Sequence, residues 1–204
     1  VSYDACLPDL LVPSCAGGIA CAPAGHELAD PARLCEWLVE QQITLLHCVP
    51  SLFRSLLACR DATRTSLRHV LLAGEVVRPA DVRAARAVLG DRVQLVNLYG
   101  PTEATLVKLH HEITDADIDG NTVPIGRPMP EVTIHLFDEQ NRPVGAGEIG
   151  QIAIQSAYGS LGYLDDAELT RARFLDTPAE QIYLTGDYGR LRADGSVEFH
   201  GRRD

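Results

Sequence analysis

Three short runs, residues 43–49, 69–75 and 93–99, are apolar on both parities and are separated by stretches carrying helix start and stop signals. A strand with apolar side chains on both faces has to be covered on both, which is the condition of a parallel sheet flanked by helices. The intervening signals agree. Asp30-Pro31 is a cap followed by the first helical position, with Leu34, Trp37, Leu38 and Gln41 at helical spacing. Pro50-Ser51 starts another helix through Leu52, Phe53, Leu56 and Leu57, and a third runs from Pro79 to about Leu89, where Gly90 stops it. The series reads βαβαβ, an α/β arrangement with a mainly parallel sheet.

Past residues 110–125 helical periodicity is lost. Residues 131–137 and 148–155 alternate around a turn at 138–143, and residues 183–192 and 196–200 flank the hairpin signal Ala193-Asp194-Gly195. Residues 167–174 read as a short helix. The expected organisation is an α/β subdomain over 1–118 and a β-rich, mostly antiparallel subdomain over 119–204.

The 204 residues, 46% hydrophobic and 23% charged, fall in the ordinary globular range. Eighteen basic against 28 acidic residues give a formal charge of −10, which excludes a surface built to coat nucleic acid or an anionic membrane, so any phosphate site must be local. No apolar run approaches the roughly 18 residues of a membrane span, and the first residues lack the basic region of a signal peptide, so a cytoplasmic location is expected. The six cysteines (6, 15, 21, 35, 48 and 59) form no CxxC pair and are expected to be reduced and mostly buried.

The segment Asn97-Leu98-Tyr99-Gly100-Pro101-Thr102-Glu103-Ala104-Thr105 falls where the third parallel strand ends, the edge at which open α/β sheets bind ligands. Gly100-Pro101 makes a sharp turn that presents the Thr102 hydroxyl and backbone N–H groups to an anion, with the Glu103 carboxylate beside them for Mg²⁺ and the Tyr99 ring for a base. On spacing alone a strand-to-loop turn, with the hydroxyl and carboxylate merely capping the next segment, is an equal reading.

These residues closely resemble the Tyr-Gly-Pro-Thr-Glu signature of the adenylate-forming superfamily, in its nonribosomal peptide synthetase adenylation-domain branch. Further blocks occur in the family's order: Tyr3-Asp4-Ala5, Leu72-Ala73-Gly74-Glu75, Gly147-Glu148-Ile149-Gly150 with Gly162-Tyr163-Leu164, Tyr183-Leu184-Thr185-Gly186-Asp187, and Gly201-Arg202-Arg203-Asp204. The resemblance implies an internal part of the large adenylation core, its β-rich part a small distorted barrel, ending at a hinge that Asp204 matches. It implies ATP and Mg²⁺ as cofactors, with Glu103 on the metal and Thr102 at the α-phosphate. Gly74, Glu75, Asn97 and Tyr99 would border the adenine, Asp187 would accept from both ribose hydroxyls, Phe199 would lie near the nucleotide, and Arg202 would approach the ribose or phosphate. For Phe199 a core position, and for Asp187 a turn cap, is the plainer alternative.

Asp4 carries the substrate class. In the amino-acid-activating branch the matching aspartate pairs with the substrate α-ammonium, a group that acyl and aryl acids lack; a helix cap is the alternative for this residue. Side-chain selection would fall to Ala5, Pro8, His47, Leu71, Ala73, Leu98, Leu106 and Val107. This lining favours an apolar or small polar side chain, and His47 is either a hydrogen-bonding group or a core histidine. Pro8 replaces an aromatic, and Ser160-Leu161-Gly162-Tyr163 replaces Ala-Arg-Gly-Tyr, which removes an arginine at Leu161.

The family's Gly/Ser/Thr-rich phosphate loop and its C-terminal lysine-bearing domain are absent from these 204 residues. The expectation is a piece of a longer chain, with little activity by itself, supplying the specificity pocket. Its parent activates an amino acid as the adenylate and loads a carrier-protein phosphopantetheine thiol, with an MbtH-like protein as a further partner. The alternatives are part of an acyl- or aryl-CoA ligase, or a non-catalytic binding module.

Overall fold

The computed structural model describes residues 6–177 and 180–203, the side chain of Cys6 excepted; Tyr3, Asp4, Ala5 and Asp204 lie outside the described residues. The chain forms two compact units, residues 1–97 with 112–123 and residues 98–111 with 124–204.

In the first unit, α1 (Cys6–Cys15) and α2 (Gly25–Leu28) precede α3 (Pro31–Glu40). Asp30 caps α3 by accepting from the Ala32 N–H at 2.9 Å, and Leu34, Cys35 and Leu38 face inward at helical spacing. Then come β1 (Leu45–Cys48), α4 (Pro50–Leu57), β2 (His69–Leu72), α5 (Pro79–Leu89) and β3 (Gln94–Tyr99). Strands β1, β2 and β3 are parallel, with Leu46 beside Val70 and Val70 beside Leu95. Val70, Leu72 and Leu95 are essentially fully buried with Phe53, Val82 and Val93, as a sheet covered by helices requires. The βαβαβ expectation holds, with β1 shorter than its apolar run at both ends, β2 at its C-terminal end and β3 at its N-terminal end.

The second unit contains β4 (Leu109–Ile113), whose last two residues return to the first, and β5 (Arg127–Pro128), antiparallel to it. There follow β6 (Val132–Phe137), β7 (Ile149–Ser156), α6 (Ala167–Arg173), β8 (Phe174–Leu175), β9 (Ile182–Leu191) and β10 (Val197–Arg202). Strands β10-β9-β7-β6, with β8 on β9, make a curled antiparallel half-barrel, as the α/β-then-barrel reading expects. Register shifts at Gln151/Ala153 and Phe199/Gly201 bend it. Gly189 lies where a Cβ would meet the Glu198 carbonyl at 2.7 Å, so only glycine lets β9 and β10 close there. Leu109, Ile152, Ile154, Tyr183 and Val197 form the core of this unit.

The expectation of mostly buried thiols is corrected. Among the described cysteine side chains, Cys15 and Cys21 are exposed, Cys48 and Cys59 are half-buried and only Cys35 is buried; these five are free. Both exposed thiols fall in the segment from α1 through residue 24, where no described residue is buried and Leu10, Leu11 and Val12 of α1 face solvent. Among the described residues no helix is long and apolar enough to cross a membrane.

Candidate functional site

The second unit gathers the most chemistry. As β3 ends, Pro101 leads into a single 3₁₀ turn at Thr102–Ala104, where the Ala104 N–H donates to the Pro101 carbonyl at 3.0 Å. Thr105 and Leu106 both adopt left-handed backbone, φ 66° and 63°, a conformation costly for side chains of this kind. The reversal carries the Leu106 carbonyl onto Gly100, where a Cβ would stand 1.5 Å from its oxygen. The loop therefore needs glycine at 100 for space rather than for φ. Thr102 is exposed at its tip, Ala104 is buried under it, and Glu103 is half-buried.

Glu103 is held at two points. Its carbonyl accepts from the Ser160 N–H at 2.8 Å, and its Oε1 accepts from the Tyr163 hydroxyl at 2.9 Å. The Tyr183 hydroxyl is 3.3 Å from that of Tyr163, which extends the chain of hydroxyls. Burial pushes the Glu103 carboxyl up, but its own backbone N–H, the two tyrosine hydroxyls and Arg202 together hold it below the usual glutamate value. Burial, with the carboxylate close by, keeps both phenols protonated and so able to donate. The carboxylate is anionic near neutrality. One such oxygen donor suits Mg²⁺, which keeps several waters and takes one or two protein carboxylates beside substrate phosphates. Among the described residues no group of three or more His, Cys, Asp and Glu side chains could enclose an ion by itself.

Asp187, on β9, is only 8% exposed. Its Oδ2 accepts from the Tyr99 hydroxyl at 2.6 Å, and Arg202 Nη1 lies 3.8 Å from Oδ1, across the β9–β10 register. Burial and this carboxylate raise the Tyr99 phenol far above its usual value, so its proton stays on the bond. Phe199 packs against the core of the unit, while Leu161 is 97% exposed. Thus Tyr99, Thr102, Glu103, Asp187, Phe199 and Arg202 all belong to one folding unit, with Leu98, Leu106 and Val107.

Three partners in this unit were given no role by the sequence. Tyr163 and Tyr183 lie inside the motif blocks, but only the fold aims both hydroxyls at Glu103. Lys108 is 5% exposed, donating from Nζ to Ser156 Oγ at 3.2 Å and to the Tyr158 carbonyl at 3.4 Å, and burial lowers its pKa.

The remaining expected residues belong to the first unit. His47 and Leu71 are neighbours across β1 and β2, and Ala73 follows β2. His47 Nδ1 is 2.8 Å from Asp9 Oδ1 on α1, next to Pro8, so that ring atom is committed to a carboxylate. Gly74 has φ 82°, a turn conformation favouring glycine. The Glu75 carboxylate accepts from Ser51 N–H at 2.9 Å and from Ser51 Oγ at 2.6 Å, capping α4, and these bonds with Arg54 and Arg78 hold it below the usual glutamate value despite some burial. Asn97 is buried on β3. Asp4 and Ala5 lie outside the described residues.

The AMP-binding enzyme family matches residues 1–164. Surfactin synthase subunit 3 of Bacillus subtilis (strain 168) is 31% identical over 182 residues, 88% of this chain and 14% of that protein. Tyrocidine synthase 3 of Brevibacillus parabrevis is 32% identical over 195 residues, covering 92% of this chain and 3% of that protein. Among solved structures, that of CmiS6 superposes with a TM-score of 0.91 at 30% identity, over 100% of this chain and 50% of that one. PA1221, an NRPS protein containing adenylation and PCP domains, gives 0.86 at 30% identity over 100% and 42%. The chain thus spans half or less of the length of these relatives. By sequence and fold together, the chain belongs to the AMP-binding enzyme family, as part of an adenylation domain of the nonribosomal peptide synthetase kind.

Proposed function

We propose that this chain holds the nucleotide and the amino acid in an enzyme that joins an amino-acid carboxylate to AMP. The substrate carboxylate oxygen attacks the α-phosphorus of ATP, a P–O bond forms, the bond to the bridging oxygen breaks, and pyrophosphate leaves. Positioning and charge neutralisation supply most of such a rate enhancement. Thr102, exposed at the loop tip, donates its hydroxyl to the α-phosphate. Glu103, kept anionic and oriented by Tyr163, holds the divalent cation, whose charge opposes that building on the phosphates. Asp187 receives the ribose hydroxyls, Arg202 stands beside it, and Tyr99 and Phe199 offer rings to the nucleotide, with Gly74, Glu75 and Asn97 bordering the adenine. The observation that carries this reading is the hydroxyl–carboxylate pairing of Tyr99 with Asp187, 88 residues apart, in the unit that also holds Thr102 and Glu103.

Asp4 pairs with the substrate ammonium, and Ala5, Pro8, His47, Leu71, Ala73, Leu98, Leu106 and Val107 select a side chain that is apolar or small and polar. The aminoacyl group then passes to a phosphopantetheine thiol on a carrier protein, with an MbtH-like protein as an accessory. ATP–pyrophosphate exchange on the full-length protein with a panel of amino, acyl and aryl acids tests this. Exchange with one or a few apolar or hydroxylated amino acids, lost in Asp4→Ala, is expected. Exchange only with acids lacking an amino group, or thioester formation with free CoA, overturns it.

A further inference from the structure

We propose that the Tyr99 hydroxyl is a specificity determinant for the ribose diol, because by holding Oδ2 of Asp187 it sets the plane of the carboxylate that receives the sugar. The inference rests on the reading of Asp187 as the ribose-binding group.

An ionised carboxylate offers about four lone-pair sites on its two oxygens. Tyr99 takes one on Oδ2 at 2.6 Å. Arg202 stands 3.8 Å from Oδ1, an ion-pair separation too long for a hydrogen bond. Acceptor capacity therefore remains on both oxygens, and two hydroxyls on adjacent carbons are the donor set that matches it. The backbone of Asp187 is fixed independently, since its N–H donates to Thr185 Oγ1 at 3.0 Å and Thr185 Oγ1 donates to the Ile152 carbonyl at 2.7 Å. The torsion that turns the carboxylate plane is broad in the absence of a partner. Tyr99 supplies that partner. Removing its hydroxyl leaves a buried acceptor unsatisfied and the plane free to turn, at a cost felt only by a ligand that uses both oxygens. Tyr99 is also two residues from Pro101 and three from Thr102, so the segment proposed to meet the phosphate would also set recognition of the sugar.

Binding of ATP and of 2′,3′-dideoxy-ATP to the full-length wild type, Asp187→Asn and Tyr99→Phe, measured by calorimetry with circular-dichroism melts as a fold check, separates the two ideas. Asp187→Asn is expected to weaken ATP about tenfold and leave the dideoxynucleotide within about twofold. Tyr99→Phe is expected to show the same pattern, about five- to tenfold against under twofold. Equal loss for both nucleotides in Tyr99→Phe, or loss for neither, while Asp187→Asn discriminates, overturns the role of Tyr99 and leaves that of Asp187 standing. Equal loss in Asp187→Asn overturns the ribose reading itself, and with it this proposal. Should Tyr99→Phe fail to fold, 3,5-difluorotyrosine at 99 retains ring and hydroxyl but strengthens the donor. A changed ATP-to-dideoxy affinity ratio supports the proposal and an unchanged ratio overturns it.

Discussion

Gly100 shows how one missing carbon shapes the loop. With a Cβ placed 1.5 Å from the Leu106 oxygen and 2.6 Å from its carbonyl carbon, Gly100→Ala cannot keep the reversal through Thr105 and Leu106. It is expected to destabilise the protein by at least about 2 kcal/mol in thermal unfolding and to abolish nucleotide binding, whereas an alanine at the roomier Gly147 costs its positive φ alone. Tyr163 is a second such residue. Its hydroxyl fixes one oxygen of Glu103, so Tyr163→Phe is expected to weaken Mn²⁺ binding, read by electron paramagnetic resonance, about three- to tenfold. Glu198 supplies the pH dependence. Burial raises its pKa, but the bond from Arg190, the charges of Arg190 and Arg192 and the bond from His200 outweigh burial, so the folded value lies below the ordinary 4.5. A depressed carboxyl stabilises above the unfolded pKa and loses that contribution as the pH falls through the folded one. Urea unfolding between pH 6 and 3 is expected to show stability falling below about pH 4.5, with a shallower fall in Glu198→Gln.

Elements with paired signals were legible in the chain. Helix α3 has a cap, an N1 proline and an apolar stripe, and each does in the fold what its residue type suggests; Asp30→Ala is expected to cost about 1 kcal/mol in chemical denaturation. Helices α4 and α5 begin at prolines and bury one face, again as their spacing indicates. By contrast, α1 contains Pro13 and leaves Leu10, Leu11 and Val12 exposed, so it carries no stripe to read. Strands β4 and β5 are short and alternate weakly, their existence depending on the ladder between Leu109 and Pro128. The pairing of β7 with β9, across α6 and β8, was likewise beyond local signals, because alternation sets which face is buried and leaves the partner open. Thiol labelling follows the element that holds each cysteine. Cys15 and Cys21 are expected to react with iodoacetamide first, while Cys35, pushed up to about 11, and Cys48, pushed up to about 12, both chiefly by burial, react slowest, as peptide mapping would read.

For the whole chain, the formal charge of −10 leads to an expected absence of salt-dependent binding to duplex DNA in a gel-shift assay, despite residues suited to a nucleotide phosphate. Local composition and order determined a great deal: an α/β half followed by antiparallel strands, and motif blocks that named the candidates Tyr99, Thr102, Glu103 and Asp187. The two halves are readable in the sequence because strand parity, caps and turn residues act over a few residues, whereas the site roles, that of Asp187 above all, came from the resemblance of the motif blocks to a family. What the tertiary structure decided is who touches whom. The chain leaves one unit between Asn97 and Leu98, inside a single strand, with no change of composition to mark it. Tyr163 and Tyr183 meet Glu103, and Tyr99 meets Asp187, only because β9 and the loop at 156–164 are brought to the end of β3. A hydrogen bond between residues 60 or 88 positions apart leaves no periodicity in the sequence, since the energy that selects it arises from packing and desolvation of the assembled fold.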